Sequence, residues 1–374
     1  MTSLNCPICQ KIISSAGILG STAICSCGWH GPTNFQERKR KKKIRKRIEA
    51  VFLGLSLLGA YFFYYEWRHW GRFFSNHIVL QAKIITGLTS EEDWAELGII
   101  CNTTHHFSCS EKAFLNLLKY KPEDVTALAN LAIAQTELGE QQSALLNFEK
   151  IFNKGEGSAE AMGYYGLNLE RLGRDREAEK WFYRALSQEP DFIDITDHLI
   201  DLLVKREAFT EALSVIGNIS SIVPASKLYY QSRALTINDL SMKNEKQTSV
   251  KSVRIASLKS QHFIPIQFSG TKTPSFFIAD SGATYLTVNP KFIADQNITD
   301  FTSISRIKLI FAGGQEVEGT LLLVKHIRIG PWQLENIQTA ICDDCLLLAG
   351  KSVLRLFQTS TKEENGVEYL TLQR

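Results

Sequence analysis

One aspartate in the C-terminal part of this chain is placed as a catalytic carboxylate would be. Asp280 follows an apolar run at residues 276–279 and precedes a second strand-like run at residues 285–288. A carboxylate that a strand delivers into a tight turn is held at a fixed angle, and the hydroxyl of Ser281 can brace that turn by hydrogen bonding. An ordinary β-turn is the structural alternative. The candidate turn comprises Asp280, Ser281, Gly282, Ala283 and Thr284.

The segment around this aspartate is predicted to be all-β. Strand-like runs separated by Gly, Pro, Asn and Asp fall at residues 263–268, 276–279, 307–311, 320–329 and 369–372. Gly313 and Gly314 lie between two of these runs and suit the tip of a hairpin. A further apolar run at residues 347–354 contains Gly350, where another backbone segment can approach closely. Residues 257–374 are therefore expected to form one β domain.

The order of these features resembles the retropepsin-like aspartic proteases, and most of all their bacterial, membrane-anchored members. After the catalytic turn and the hairpin come Arg328, Ile329 and Gly330, and then an apolar-apolar-Gly strand. The resemblance implies that Asp280 is catalytic, that the Gly-Gly hairpin is a flap, and that a support strand packs behind the turn. The flap residues are Gly313 and Gly314, and the support strand is Leu348, Ala349 and Gly350. Ala349 stands where the family usually has a larger aliphatic residue, which bears on the substrate pocket more than on the chemistry.

This chemistry needs two carboxylates, and the chain contains no second Asp-Ser-Gly or Asp-Thr-Gly. The resemblance therefore implies a two-fold symmetric homodimer that brings together Asp280 from each copy. Two carboxyl groups so close cannot both ionise easily and share one proton. The expected partner at the site is a protein or peptide substrate, and catalysis needs no cofactor. The alternative is a catalytically inactive domain that keeps the fold.

Residues 91–226 repeat with a period of 34. Three positions recur at this spacing, as Gly139 with Gly173, Ala144 with Ala178 and Phe148 with Phe182. Small residues where helices cross, with aromatic residues between them, are typical of tetratricopeptide repeats. Four repeats fit, at 91–124, 125–158, 159–192 and 193–226, and residues 227–256 are predicted to be a helix followed by a linker. Such arrays bind proteins or peptides on a concave face; a spacer or a dimerisation element is the alternative.

A basic run abuts an uncharged apolar segment nearer the N-terminus. Residues 38–47 contain nine of the ten Lys and Arg residues found in residues 1–47, and residues 50–65 carry no charge. Flanking aromatic residues extend the apolar segment toward the length of about 20 residues that spans a membrane. We expect a juxtamembrane segment at 36–47 and a single transmembrane helix at 48–70. The positive-inside rule then places the N-terminus in the cytoplasm and residues 71–374 in the periplasm, with the helix in the inner (cytoplasmic) membrane.

The positive charge is confined to this run. The rest of the chain carries 32 basic and 38 acidic residues, so a nucleic-acid footprint over the whole protein is not supported and no nucleic-acid partner is expected. A nuclear-localisation or RNA-binding patch is the competing interpretation of the run itself.

Two cysteine pairs precede the basic run. Cys6 and Cys9 are separated by fifteen residues from Cys25 and Cys27. Thiolates from two short knuckles form a tetrahedral zinc site, and a segment of about 30 residues cannot otherwise bury a core. The pattern resembles a small zinc ribbon at residues 1–35 with structural zinc, although the second pair is tighter than usual and His30 could replace one ligand. Free thiols and disulfides are the alternatives, and a reducing compartment disfavours disulfides.

The remaining four cysteines fall in the part predicted to be periplasmic, where an even number favours pairing. Cys101 and Cys109 are close enough in sequence to staple the helical hairpin of the first repeat. Cys342 and Cys345 could close a short loop beside the substrate wall, and their redox state is left open.

The predicted fold class is multidomain: a small zinc ribbon, a single transmembrane helix, an all-α tetratricopeptide solenoid and an all-β retropepsin-like domain. The predicted function is a membrane-anchored aspartic endopeptidase whose repeats bind a protein or peptide. One alternative is a catalytically inactive membrane-anchored scaffold, and another is a signalling or assembly factor whose zinc ribbon binds a cytosolic partner.

Overall fold

A computed structural model describes residues 89–244, 251–258, 261–311, 314–364 and 366–374, together with residues 10, 18–19, 22–24, 30–32, 83–84 and 86. Several predicted features lie outside these residues, namely the four zinc ligands Cys6, Cys9, Cys25 and Cys27, the basic segment 36–47 and the span 48–70. Among the described residues, no helix is both long enough and apolar enough to cross a membrane. The same residues contain no group of three or more His, Cys, Asp and Glu that could hold a metal ion.

The chain divides into two compact units, residues 1–89 and 90–374. In the first unit, three short strands form an antiparallel sheet in the order β1-β2-β3. They are β1 (Ile18–Leu19), β2 (Thr22–Ile24) and β3 (His30–Pro32).

The second unit begins with helices that pack in pairs. The pairs are α1 (Glu91–Thr103) with α2 (Phe107–Tyr120), α3 (Val125–Leu138) with α4 (Gln141–Phe152), α5 (Ala159–Arg171) with α6 (Asp175–Gln188), and α7 (Ile193–Lys205) with α8 (Phe209–Ile222). The first helix of each pair starts 34 residues after the one before it. These pairs are tetratricopeptide-like repeats, and a longer helix, α9 (Lys227–Asn244), follows them.

The 34-residue period has a steric origin. A β-carbon on Gly166 would lie 2.5 Å from the ring of Phe182, and one on Gly98 would lie 2.6 Å from the ring of Phe114. Glycine therefore lets the two helices of a repeat cross with an aromatic ring between them. The side chain of Ser158 accepts a hydrogen bond from the amide of Ala161, which caps helix α5 at its N-terminus.

The β domain contains ten strands and two short helices within its described residues. The strands are β4 (Ser252–Ala256), β5 (Phe263–Phe268), β6 (Ser275–Ala279), β7 (Leu286–Val288), β8 (Phe301–Ile310), β9 (Glu316–Ile329), β10 (Trp332–Ile341), β11 (Leu348–Ala349), β12 (Gln358–Glu364) and β13 (Val367–Gln373). The helices are α10 (Pro290–Asp295) and α11 (Lys351–Leu354).

Seven of these strands form one sheet in the order β10-β7-β11-β6-β5-β9-β8. Strand β10 also pairs with β9, so the sheet closes on itself and leaves β8 on the outside of β9. A closed sheet surrounds one apolar core, which contains Phe268, Phe277 and Leu286 among others.

A second sheet has the order β12-β13-β4. Strand β4 falls at the end of the segment 227–256, where the sequence predicts a helix and then a linker; the structure has helix α9 and then a strand of the β domain. Ile255 of β4 pairs with Leu370 of β13, so these residues belong to the folded domain and do not form a free connection.

The last repeat and the β domain share a hydrophobic core. A β-carbon on Gly217 of α8 would lie 2.8 Å from the ring of Phe276 and 2.9 Å from Phe263. Tyr183 of α6 meets Tyr369 of β13 edge to face, with ring centroids 5.5 Å apart. Buried apolar contacts of this kind hold the repeats and the β domain as one body.

Candidate active site

Asp280 lies immediately after β6, at the start of the predicted turn. Strand β11 runs parallel to β6, with Leu348 opposite Ile278 and Ala349 opposite Ala279. The amide of Asp280 donates a hydrogen bond of 3.1 Å to the carbonyl oxygen of Ala349. The predicted support strand therefore holds the backbone of the candidate catalytic residue.

Gly350 allows the turn to lie directly against the support strand. A β-carbon at this position would lie 2.7 Å from the carbonyl oxygen of Ala283 and closer still to that of Tyr285. Helix α11 begins here, and the amide of Lys351 donates to the Ala283 carbonyl at 2.9 Å. The glycine is required by this close backbone approach and not by an unusual backbone angle.

The carboxylate of Asp280 helps to shape its own turn. Its Oδ1 accepts a hydrogen bond of 2.7 Å from the amide of Gly282, an Asx-turn geometry. Asp280 is half-buried, whereas Ser281, Gly282 and Thr284 are exposed. The turn thus presents one carboxyl group at the surface of the monomer.

The hydroxyl that braces the turn comes from a residue that the sequence did not single out. The amide of Leu286 donates a hydrogen bond of 2.7 Å to Oγ of Ser352, which fixes the exit of the turn to helix α11. The structure records no hydrogen bond from the Ser281 hydroxyl to the residues it describes. The only signal for Ser352 in the sequence is its position two residues after Gly350.

Thr287 links β7 to the support strand. Its hydroxyl donates a hydrogen bond of 2.6 Å to the carbonyl oxygen of Leu346 and accepts one of 3.2 Å from the amide of Leu348. Thr287 is buried, with 8% of its surface exposed. In the sequence Thr287 is only a polar residue between two apolar ones in a short strand, and this pattern does not predict its hydrogen bonds to the support strand.

His262 lies on the other side of β6. Its carbonyl oxygen accepts a hydrogen bond of 2.9 Å from the amide of Ala279, the residue before the catalytic candidate. Burial lowers the pKa of the His262 imidazole, against the opposing effect of Glu368. The ring is therefore neutral at neutral pH and adds no charge behind the catalytic turn.

The predicted flap is a long hairpin made by β8 and β9. Gly314 lies in its turn with a φ of 83°, and its amide donates to the carbonyl oxygen of Phe311 at 2.9 Å. Gly313 lies outside the described residues. Ile310, next to the turn, is 72% exposed, so the hairpin carries an apolar side chain in solvent near its tip.

The four cysteines that the sequence predicts to pair form two disulfides in the structure. Cys101 in α1 and Cys109 in α2 form a disulfide within the first repeat. Cys342 and Cys345 form another in the connection from β10 to β11. Both members of the second pair are buried, at 3% exposure each.

A protein family model matches the part of the chain that contains this candidate site. Residues 264–354 match the family model described as aspartyl protease, a range that contains the candidate catalytic turn, the predicted flap hairpin and the predicted support strand. This part of the β domain, which follows the tetratricopeptide-like repeats, therefore resembles an aspartyl protease domain. No curated protein matches the chain.

Solved structures resemble separate parts of the chain. A retropepsin-like aspartic protease from Rickettsia conorii is 16% identical with a TM-score of 0.26, over 33% of this chain and 92% of that one. The MamA protein is 21% identical with a TM-score of 0.36, over 41% of this chain and 85% of that one. A tetratricopeptide repeat protein from Parabacteroides merdae is 18% identical with a TM-score of 0.35, over 49% of this chain and 75% of that one.

The close approach at Gly350 gives a direct test of the site. Gly350→Ala places a methyl group against two carbonyl oxygens, so we expect it to lower the free energy of unfolding by about 2 kcal/mol and to displace the catalytic turn. Chemical denaturation measures the loss. Lys351→Ala is the matched control, because it keeps the amide that binds Ala283 and should stay within about 0.5 kcal/mol of the parent chain. Equal stability of Gly350→Ala and the control would contradict the steric argument.

Proposed function

We propose that this chain is a membrane-anchored aspartic endopeptidase that acts as a homodimer. The observation that carries the proposal is Asp280, a half-buried carboxylate at the end of β6 whose backbone is held by Ala349. The aspartyl protease family model covers this residue and its support strand. Each chain supplies one such turn, so a second copy must supply the second carboxylate.

The chemistry follows from pairing two equal acids. Carboxyl groups about 3 Å apart share one proton, because two negative charges at that distance repel each other strongly. The ionised Asp280 takes a proton from the attacking water, and the protonated one donates to the carbonyl oxygen of the scissile bond. The two carboxyl groups titrate as a coupled pair, so the rate of cleavage should have a bell-shaped dependence on pH. The two apparent pKa values of that curve belong to the pair and not to either residue.

The repeats are proposed to bind the protein or peptide substrate, or a partner that delivers it. The support for this role is their attachment: helix α8 shares a buried core with the β domain through Gly217, Phe263 and Phe276. A peptide bound on the repeats would therefore be presented to the active site from a fixed direction. The alternative, a scaffold without activity, uses the same repeats but does not need Asp280.

Loss of the carboxylate decides between these functions. Asp280→Asn keeps the shape of the side chain and removes its charge, so we expect cleavage of a peptide library by the purified full-length chain to fall at least about a thousandfold. Specific activity should rise with protein concentration unless the membrane already holds two chains together.

Asp295→Asn is the matched control, since Asp295 is an exposed aspartate of the same domain outside the turn. Its activity should equal that of the parent. Cleavage that persists in Asp280→Asn, or full activity in a chain shown to be monomeric, rules the proposed mechanism out.

The membrane anchor at residues 48–70 and the periplasmic location of residues 71–374 are part of the proposal. They rest on the basic run at 38–47 and fit the two disulfides, because such bonds persist in oxidising compartments. A reporter enzyme that works only outside the cytoplasm, fused after Arg374, should be active. An active cytoplasmic reporter at the same point, with the first reporter silent, reverses the orientation.

Structural zinc at residues 1–35 is also proposed, on the pattern of Cys6, Cys9, Cys25 and Cys27. We expect one zinc ion per chain by metal analysis, and a loss of the metal when Cys6 and Cys9 are both changed to Ser. Substoichiometric zinc in the freshly purified parent chain would refute the site.

A further inference from the structure

The connection between β10 and β11 is closed by a disulfide that the catalytic chemistry does not use. It joins Cys342, the residue after β10, to Cys345, three residues further on. The amide of Cys345 also donates to the carbonyl oxygen of Cys342 at 3.2 Å. The chain thus makes a tight loop here before it enters the support strand.

The loop is fixed to its neighbours as well as to itself. The amide of Cys342 donates to the carbonyl oxygen of Val288 at 3.3 Å, and Nδ2 of Asn289 donates to the carbonyl oxygen of Cys345 at 3.2 Å. A β-carbon on Gly319 of β9 would lie 3.5 Å from Cβ of Cys342. The disulfide is therefore packed between the end of β7 and the first part of β9.

A continuous series of hydrogen bonds leads from this loop to the catalytic turn. Leu346 accepts from the Thr287 hydroxyl, Leu347 accepts from the amide of Ile278 at 3.0 Å, and Ala349 accepts from the amide of Asp280 at 3.1 Å. The carbonyl oxygens of Cys345, Leu346, Leu347 and Ala349 thus each accept a hydrogen bond from a neighbouring element, and Leu348 pairs with Thr287 of β7. Because residues 345–349 are held at successive points, the position of Cys345 restricts the position of Ala349.

A bond over so short a loop acts locally. The two cysteines are three positions apart, and closing a short loop removes little conformational entropy from the unfolded chain. Its main effect is to restrict the path of residues 342–347 in the folded state. Support strand β11 is only two residues long, so it depends on its flanks for its position.

We propose that the Cys342–Cys345 disulfide is a positioning element of the active site: it fixes the entry of β11 and thereby the carbonyl group that holds Asp280. The effect of this disulfide on catalysis rests on the proposed function, whereas its effect on the structure of the turn does not. Loss of the bond should leave the fold intact and loosen the catalytic turn.

Hydrogen exchange tests the structural part without any substrate. In the full-length chain with Cys342→Ser and Cys345→Ser, amides of Ile278, Leu348 and Asp280 should exchange at least about tenfold faster than in the parent. Amides of α5 and α6 in the repeats should be unchanged, which shows that the variant is folded. Mass spectrometry of peptides covering residues 276–286 and 346–352 provides the measurement.

The chain contains its own matched control. Cys101→Ser with Cys109→Ser removes the other disulfide, which joins α1 to α2 in the first repeat, outside the β domain. This variant should loosen α1 and α2 and leave exchange at Asp280 as in the parent.

Kinetics provide the second measurement. We expect the variant lacking Cys342 and Cys345 to lose about tenfold in kcat, with a smaller change in KM, because a displaced carboxylate affects the chemical step more than binding. The control variant should keep the parental kcat.

The outcomes separate the two proposals. Unchanged exchange at Asp280 in the variant without Cys342 and Cys345, or equal loosening in both double variants, overturns the positioning role. Faster exchange at Asp280 in this variant, together with a parent chain that cleaves no peptide, upholds the positioning role and rejects the protease. A parent that cleaves peptides, with a variant of unchanged exchange and kcat, upholds the protease and rejects the positioning role.

Discussion

The candidate active site depends on the pairing of two short backbone segments, the end of β6 and strand β11. Only two residue pairs make the contact, and the single hydrogen bond from Asp280 to Ala349 fixes the candidate catalytic residue. Such a short parallel pairing has little stability of its own, because parallel strands are stabilised chiefly by neighbours on both sides. Here the neighbours are β7 and β5, and the close approach at Gly350 leaves no room for the turn to shift. Asp280 is therefore positioned by several weak contacts acting together and not by one strong interaction.

The sequence predicted the features that depend on local spacing. The turn at Asp280 and the 34-residue repeat follow from residues that lie close together along the chain. The contacts that support the turn join residues far apart in sequence, such as Leu286 with Ser352 across 66 residues, and no local pattern reveals them. Strand β12 was not predicted either. Its residues, Gln358–Glu364, are polar and almost all exposed, so they lack the alternation that marks a strand with one buried face. Its structure comes from pairing with β13.

The contacts between the helices and the β domain give a structural role to the motif at residues 328–330. Arg328, Ile329 and Gly330 were singled out because their order resembles a protease family, yet two of them contact the repeat side of the molecule. Arg328 donates to Asn238 of α9 at 2.7 Å, and a β-carbon on Gly330 would lie 2.8 Å from Oγ1 of Thr210 in α8. Asn238 is 2% exposed, so this amide is part of the interior. The helices act as a further layer of the β domain.

The pairing of β4 with β13 has a consequence for the order in which the chain folds. Each repeat contacts mainly its sequence neighbours, so residues 91–222 can form helices as they emerge from the ribosome or from a translocation channel. Strand β4 must wait for residues 367–373, which are synthesised more than a hundred residues later. The apolar surface of α8 around Gly217 gains its partners earlier, once Phe263 and Phe276 have been made. The turn at Asp280 can likewise be completed only after residues 349–352 have been made, because Ala349 and Ser352 hold it.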